Sequence, residues 1–465
     1  MDALPNLVAE NLHGKAGFMA IDAAAVHQQP RGFVDRNQVR VAIQDGEGFG
    51  DHDEGMGRYD PRMSEFQTST RVGELPEPDA DAQAHSRRLQ AVIEAAIDAG
   101  DGAIGFDEYM QAALYAPGLG YYSAGSRKFG ADGDFVTAPE VSPLFARCLA
   151  RQCVPVLRAV DQADVLEVGA GSGIMAAELL RELDKLGCLP QRYLVLEVSP
   201  DLRARQQETL RRMVPELVDR VVWLDRLPDA PIRGCVFANE VVDALPVRCF
   251  HKRDGQLFER VVVRSQDALG WAEREADDAL RSSVAGIESE TGPLIDGYQG
   301  EVNAAAAPWL ASLADALAQG LILLIDYGDG RRAHYHPERA DGTLLCHYRH
   351  RSHGDPFWWP GLNDITTQVD FTALAEAGLA AGLEFGGFTT QGWFLLASGL
   401  QEMAAETDPE RDGAAHYRRM QEIKTLTLPT EMGERFKVLG LHRGLTPTPA
   451  WPLLGFALYD LRDQL

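Results

Sequence analysis

The stretch Asp164–Gly173, DVLEVGAGSG, constrains this chain more than any other. A short apolar strand runs straight into three glycines at alternate positions, Gly169, Gly171 and Gly173. Without a Cβ, such a turn can take left-handed backbone angles and lets a ligand touch bare main chain. A dinucleotide fingerprint, G-x-G-x-x-G, would place its third glycine where Ile174 stands. No Gly-Lys-Ser/Thr follows, which disfavours a phosphate-cradling loop. What remains is acidic-x-G-x-G-x-G, opened by Glu167, whose carboxylate can serve a ligand's ammonium group.

The chain beyond the turn alternates strands and helices. DVLEVGA, RYLVLEVS, RVVWLD, GCVFANE and GLILLIDYG read as five strands, with helices in GIMAAELLRELDKLG and PDLRARQQETLRRM. VRCFHKRDGQLFERVVVR reads as a hairpin turning at Asp254-Gly255, with a long helical stretch after it. LEFGGFTTQGWFLLASG suggests two more strands, an antiparallel pair. This order predicts a mainly parallel sheet in a doubly wound α/β domain. Glu197, with Val198 beside it, ends the second strand, where a carboxylate can accept both ribose hydroxyls. NAD enzymes use the same device. Asp225, after the third strand, is a candidate for an adenine amino group or a solvated turn acid. Glu167 and Glu197 together point to a nucleoside-containing cofactor.

Composition narrows the partners. A net charge of -25 argues against nucleic acid, which needs a basic face. No run of about 18 apolar residues predicts a membrane-inserted helix. The start, MDALPNLVAENLHGK, lacks the apolar core of a secretory signal, and its acids fit a mitochondrial presequence poorly. The six cysteines form no C-x-x-C pair and read as core residues of a reducing compartment. In CHYRHRSHGDPFWWPG, His347, His350 and His353 recur every third residue, but Arg349 and Arg351 would repel a metal ion, so no metal is expected.

The E-x-G-x-G-x-G turn resembles motif I of the S-adenosylmethionine-dependent methyltransferases with the seven-stranded, Rossmann-like fold. Further blocks narrow the resemblance. YMQAALYAPGLGYYSAGSRKFGADGDFVTAPEVSPLF, FANEVVDALPV, LILLIDYG, DITTQVDFTALAEAGLAAGL and TTQGWFLLASG are similar to ordered motifs of the MidA-type methyltransferases, over about residues 80–465. The family usually has His where Gln368 stands, so no acid–base role is carried to that site. The resemblance implies a class I methyltransferase sheet with a helical N-terminal segment and substrate-side insertions at about 248–310 and 330–365. It implies S-adenosyl-L-methionine as cofactor and protein arginine as acceptor. Symmetric dimethylation of a respiratory complex I subunit follows from the same resemblance, in a bacterial cytoplasm or, for a eukaryote, the mitochondrial matrix. Residues 1–80 fall outside it and read as a disordered or added extension. Residues 81–160 read as a helical segment with a lid block, 161–400 as the cofactor-binding core, and 401–465 as a helical or irregular tail.

Within that frame the end of the fourth strand, Asn239-Glu240-Val241-Val242-Asp243, faces the methyl group, with Asn239 assigned to the cofactor. Glu240, and after it Asp243, are candidates to grip a guanidinium and enrich one of its nitrogens. Were the segment to start a helix, both acids would share a face; the local alternative is an Asn239-capped helix with two acids at its positive end. Asp326 and Tyr327, past the fifth strand, are substrate-binding candidates, with Tyr122 and Glu140. Gly133, Asp134, Thr137 and Pro139 are assigned to the cofactor cover. Two other functions stay open: a cofactor-binding assembly chaperone without chemistry, and a small-molecule methyltransferase.

Overall fold

The computed structural model describes residues 72–124, 137–265, 268–407, 411–446 and 453–465. Its central sheet contains β1 Asp164–Val168, β2 Tyr193–Leu196, β3 Val221–Leu224, β4 Ile232–Asn239, β5 Leu317–Asp329, β6 Glu384–Thr390 and β7 Phe436–Arg443. They are ordered β6–β7–β5–β4–β1–β2–β3, and the two-residue strand Val369–Asp370 joins the end of β5 as an eighth. The first five pair in parallel; β7 runs antiparallel to both its neighbours. Strand order reverses between β1 and β4, and the crevice at such a point is where open α/β sheets bind ligands.

The apolar runs of β1 and β2 follow from burial on both faces: every residue of either strand is buried. Val165 packs toward the helices Pro143–Ala159 and Ile174–Lys185, and Leu166 toward Ala306–Asp315 and Phe371–Ala380. Helix starts obey local chemistry. The Ser199 hydroxyl accepts the Leu202 N–H ahead of Pro200–Met213, with Pro200 at its first turn.

Two differences from the sequence reading concern the sheet's far edge. TTQGWFLLASG is not a second strand of a pair. The Thr390 hydroxyl accepts the Trp393 N–H and opens the helix Gln391–Ala397, which buries Phe394 and Leu395. The partner of β6 comes instead from Phe436–Arg443, inside the stretch expected to be helical or irregular. Its buried lysine has specific partners: Lys437 Nζ donates to Gly328 O at 3.0 Å and to Asp329 Oδ1 at 2.9 Å.

The hairpin forms as read, Arg248–Arg253 with Gln256–Ser265, with Asp254 and Gly255 both at positive φ, 52° and 73°. It belongs to a five-stranded sheet with Ala103–Gly105, Ala268–Glu275 and Gln299–Val302. The helical stretch after it is therefore broken, into Asp278–Thr291 and Ala306–Asp315. Leu345–Tyr348, Arg351–His353 and Asp364–Thr366 form a small third sheet. Asp79 caps the N-terminal helix Ala80–Ala99, which ends at Gly100. All six cysteines are buried and free. The reading of residues 1–71 lies outside the described residues.

Candidate functional site

The carboxyl ends of β1, β2 and β4 open into a cavity of about 460 Å³. Its floor is the glycine turn. Gly169, Gly171 and Gly173 have φ of 67°, 51° and 81°, where a side chain strains the backbone. A Cβ on Gly169 would come within 3.2 Å of Val241 Cγ2. Gly169 and Gly171 line the cavity and Gly173 does not. At Gly173 an added Cβ would sit 3.0 Å from the Gln206 Cα, so this glycine admits the helix Pro200–Met213.

Glu167 lines the cavity and its Oε2 accepts the Tyr193 hydroxyl at 2.6 Å. Burial pushes its carboxyl up to about 7, and the nearby Glu197 adds to the shift. Glu197 also lines the cavity. Its Oε1 accepts the Ser199 N–H at 2.9 Å, and its Oε2 accepts Gln206 Nε2 at 3.0 Å. Val198 presents a partly exposed apolar surface beside it. Asp225 lies outside the cavity, exposed and paired with Arg203.

At the end of β4 the chain turns at Glu240, a non-glycine residue with φ 53°. The turn is held from behind. The Glu240 N–H donates to Ile325 O, and the next three N–H groups, of Val241, Val242 and Asp243, converge on Asp326 Oδ2 at 3.2, 2.9 and 3.2 Å. The segment is thus a turn rather than a helix start, because Asp326 gathers its amides. Neither the shared helical face nor an Asn239-capped helix exists. Asp326 is fully buried behind Glu240, with its Oδ1 accepting the Tyr327 N–H; neither Asp326 nor Tyr327 lines the cavity.

Glu240 does line it, beside Asn239 and Val241. Its Oε1 accepts Asn239 Nδ2 at 3.0 Å and the Ala138 N–H at 3.4 Å. Burial, and then the charge of Asp326, push its carboxyl up to about 8. Asp243 lies deeper; burial and then Asp326, Asp364 and Glu240 hold it well above the usual carboxylate range. Asp243 Oδ1 and Asn239 Oδ1 are buried without a partner among the described residues. Tyr122 lines the cavity and donates to Asp364 Oδ1 at 2.8 Å. Thr137 and Pro139 line it too; Glu140, whose charge acts on Glu240, does not. Gly133 and Asp134 lie outside the described residues.

Among the contributors that sequence reasoning missed, three stand out. Gln111 and Tyr115 of the helix Phe106–Tyr115 wall the cavity, with Tyr115 donating to Ala244 O at 2.9 Å. Both stand in the quoted N-terminal block, which was their only signal. Gln206 had none: it is one polar residue in a polar helix. Among the described residues no group of three or more His, Cys, Asp or Glu is arranged to hold a metal ion. His353 is buried and shares a hydrogen bond with Asn363.

The groups lining the cavity are of the kinds S-adenosyl-L-methionine calls for: bare backbone at Gly169 and Gly171, and carboxyls at Glu167 and Glu197. Comparison with known proteins agrees. Residues 148–389 match a family described as S-adenosyl-L-methionine-dependent methyltransferase. A Burkholderia thailandensis crystal structure, assigned as a methyl transferase and bound to S-adenosyl-homocysteine, is 43% identical with a TM-score of 0.80; the match covers 84% of this chain and all of that one. The mitochondrial protein arginine methyltransferase NDUFAF7 homolog of Drosophila melanogaster is 28% identical, over 83% of this chain and 92% of the relative. Human NDUFAF7, likewise named a mitochondrial protein arginine methyltransferase, is 27% identical, over 73% and 80%. Among the described residues no helix is long and apolar enough to cross a membrane. On the family match and the 43% identical structure, this chain is an enzyme and belongs to the S-adenosyl-L-methionine-dependent methyltransferases.

Proposed function

We propose that the acceptor is an arginine side chain of a protein, gripped by Glu240. The observation that carries this reading is the carboxyl of Glu240 at the cavity wall, with Asp243 and Asp326 buried behind it and two orphaned acceptors, Asn239 Oδ1 and Asp243 Oδ1, nearby. Carboxyls raised by burial, and at Glu240 and Asp243 then by neighbouring acids, are receptive to a cation, and orphaned acceptors to its donors. A guanidinium supplies both, with one positive charge and five N–H groups in a plane. The names of the relatives support the same acceptor.

S-adenosyl-L-methionine, when bound, supplies an electrophilic methyl group on a sulfonium. The chain's part is to hold it and to prepare the acceptor. Gly169 and Gly171 give main chain to its amino-acid end, Glu167 serves its ammonium group, Glu197 takes its ribose hydroxyls, and Val198 offers an apolar wall to the adenine. Thr137, Pro139 and Tyr122 supply further wall to the cavity. A guanidinium is always charged, so its nitrogens are poor nucleophiles. Glu240, as carboxylate, draws the charge to one edge and leaves another nitrogen richer in electrons and fixed in direction. The nitrogen that gains the methyl group gives up a proton, and Glu240, once ionised beside the guanidinium, is the base next to it. By the family resemblance, the product is symmetric dimethylarginine on a subunit of respiratory complex I.

The test is a proteome-wide comparison of methyl-arginine in cells with and without this chain, repeated with Glu240→Gln. The proposal expects one client arginine, or a few, to lose methylation in the deletion and in the variant alike. A deletion strain with unchanged arginine methylation would refute it.

A further inference from the structure

We propose that Gln206 is a positioning residue that fixes Glu197 for the cofactor's ribose. This rests on the reading of Glu197 as the ribose acid. Gln206 stands in the helix Pro200–Met213, fully buried, and does not line the cavity. Its side-chain amide is spent in three directions. One Nε2 hydrogen goes to Glu197 Oε2 at 3.0 Å and the other to Gly171 O at 3.1 Å, while Oε1 accepts Trp223 Nε1 at 3.0 Å. One amide thereby laces together the turn after β1, the acid after β2 and a residue of β3.

The arrangement is built rather than incidental. An added Cβ at Gly173 would press on the Gln206 Cα at 3.0 Å, so the third glycine of the turn makes room for this residue. A lysine or arginine there would hold Glu197 equally well but would neutralise it. A neutral amide orients the carboxylate and leaves its charge for the hydroxyls it must accept. With Ser199 N–H on Oε1 and Gln206 on Oε2, both carboxylate oxygens are fixed before any ligand arrives. Such preorganisation by a supporting residue sets affinity, not the chemical step.

The test measures binding of S-adenosylhomocysteine and of its 2′-deoxy analogue to the full chain, and reads the ratio of the two dissociation constants. Gln206→Met keeps the volume and removes the hydrogen bonds. It should weaken S-adenosylhomocysteine binding roughly tenfold, as expected for a lost hydrogen bond to a charged group. It should also shrink the ratio, and leave kcat at saturating cofactor within about twofold of wild type. A merely structural residue would weaken both ligands equally and leave the ratio intact, which would overturn the proposal. Glu197→Gln separates the two layers. If it keeps the wild-type ratio, the ribose reading fails and this inference with it; if it loses the ratio while Gln206→Met keeps it, only the positioning role fails. Should Gln206→Met not fold, Trp223→Phe, which frees Gln206 Oε1, carries the test: a smaller shift of the ratio in the same direction supports the role, and an unchanged ratio overturns it.

Discussion

Glu240 Oε1 accepts the backbone N–H of Ala138 at 3.4 Å, so the acid at the end of β4 is tied to a segment about a hundred residues earlier in the chain. The bond joins Ala138, between the cavity residues Thr137 and Pro139, to the residue proposed to hold the acceptor.

Glu240→Gln keeps the shape and can still accept from Ala138, but it carries no charge. Removing one preorganised electrostatic group costs roughly a hundredfold or more in rate. We expect kcat to fall by about that factor while S-adenosylhomocysteine affinity stays within about threefold. Single-turnover methylation and calorimetry on one preparation check both halves.

The pH dependence has a definite sign. Glu240 is pushed up to about 8 from 4.5, and Glu167 and Asp326 to about 7. Folding therefore favours their protonated forms, so their contribution to stability is full below pH 4 and is lost as pH rises through 7 to 8. The ligand-free protein should be less stable at pH 9 than at pH 6, measured by urea unfolding. Acceptor turnover runs the other way: kcat/KM should rise with pH through about 8 as Glu240 ionises, and Glu240→Gln should lack that limb.

Asp326→Ala leaves the amides of Val241, Val242 and Asp243 buried without their shared acceptor. Each unsatisfied buried group costs about 1–3 kcal/mol. A loss of at least about 3 kcal/mol is expected, with cofactor affinity falling too because Val241 packs against Gly169. Denaturant unfolding and calorimetry test this.

Gly169→Ala forces a side chain onto a backbone at φ 67° and against Val241 Cγ2. A strained left-handed residue costs about 1–3 kcal/mol. We expect S-adenosylhomocysteine binding to weaken at least tenfold. Asp225→Asn is the contrast: exposed and off the cavity, it should change that affinity less than about twofold.

The glycine turn, Glu197 and the five parallel strands were legible because each is written locally, in buried apolar runs and in glycines whose backbone needs show in sequence. β7 was not. Lys437 and His442 interrupt its pattern, and the burial of Lys437 depends on a carbonyl and an acid at the end of β5. Thr390 marked a helix start inside an apolar run that periodicity alone reads as strand. The turn at Glu240 was weighed only as a helix start, because Asp326, which gathers its amides, lies 86 positions away. Gln206 was invisible for a similar reason: its burial depends on Trp223 and on a glycine in another element.

The wall made by Phe106–Tyr115 has a consequence for how the chain is assembled. That helix, the strand before it and both insertions share one hydrophobic cluster, in which Phe106 and Met110 meet Val262, Cys346 and Ile365. During synthesis the strand Ala103–Gly105 has no edge to pair with until Val261–Val263 has left the ribosome. A nascent chain therefore has only the helix Ala80–Ala99 to cover Phe106 and Met110 until the two insertions that complete this wall have been made.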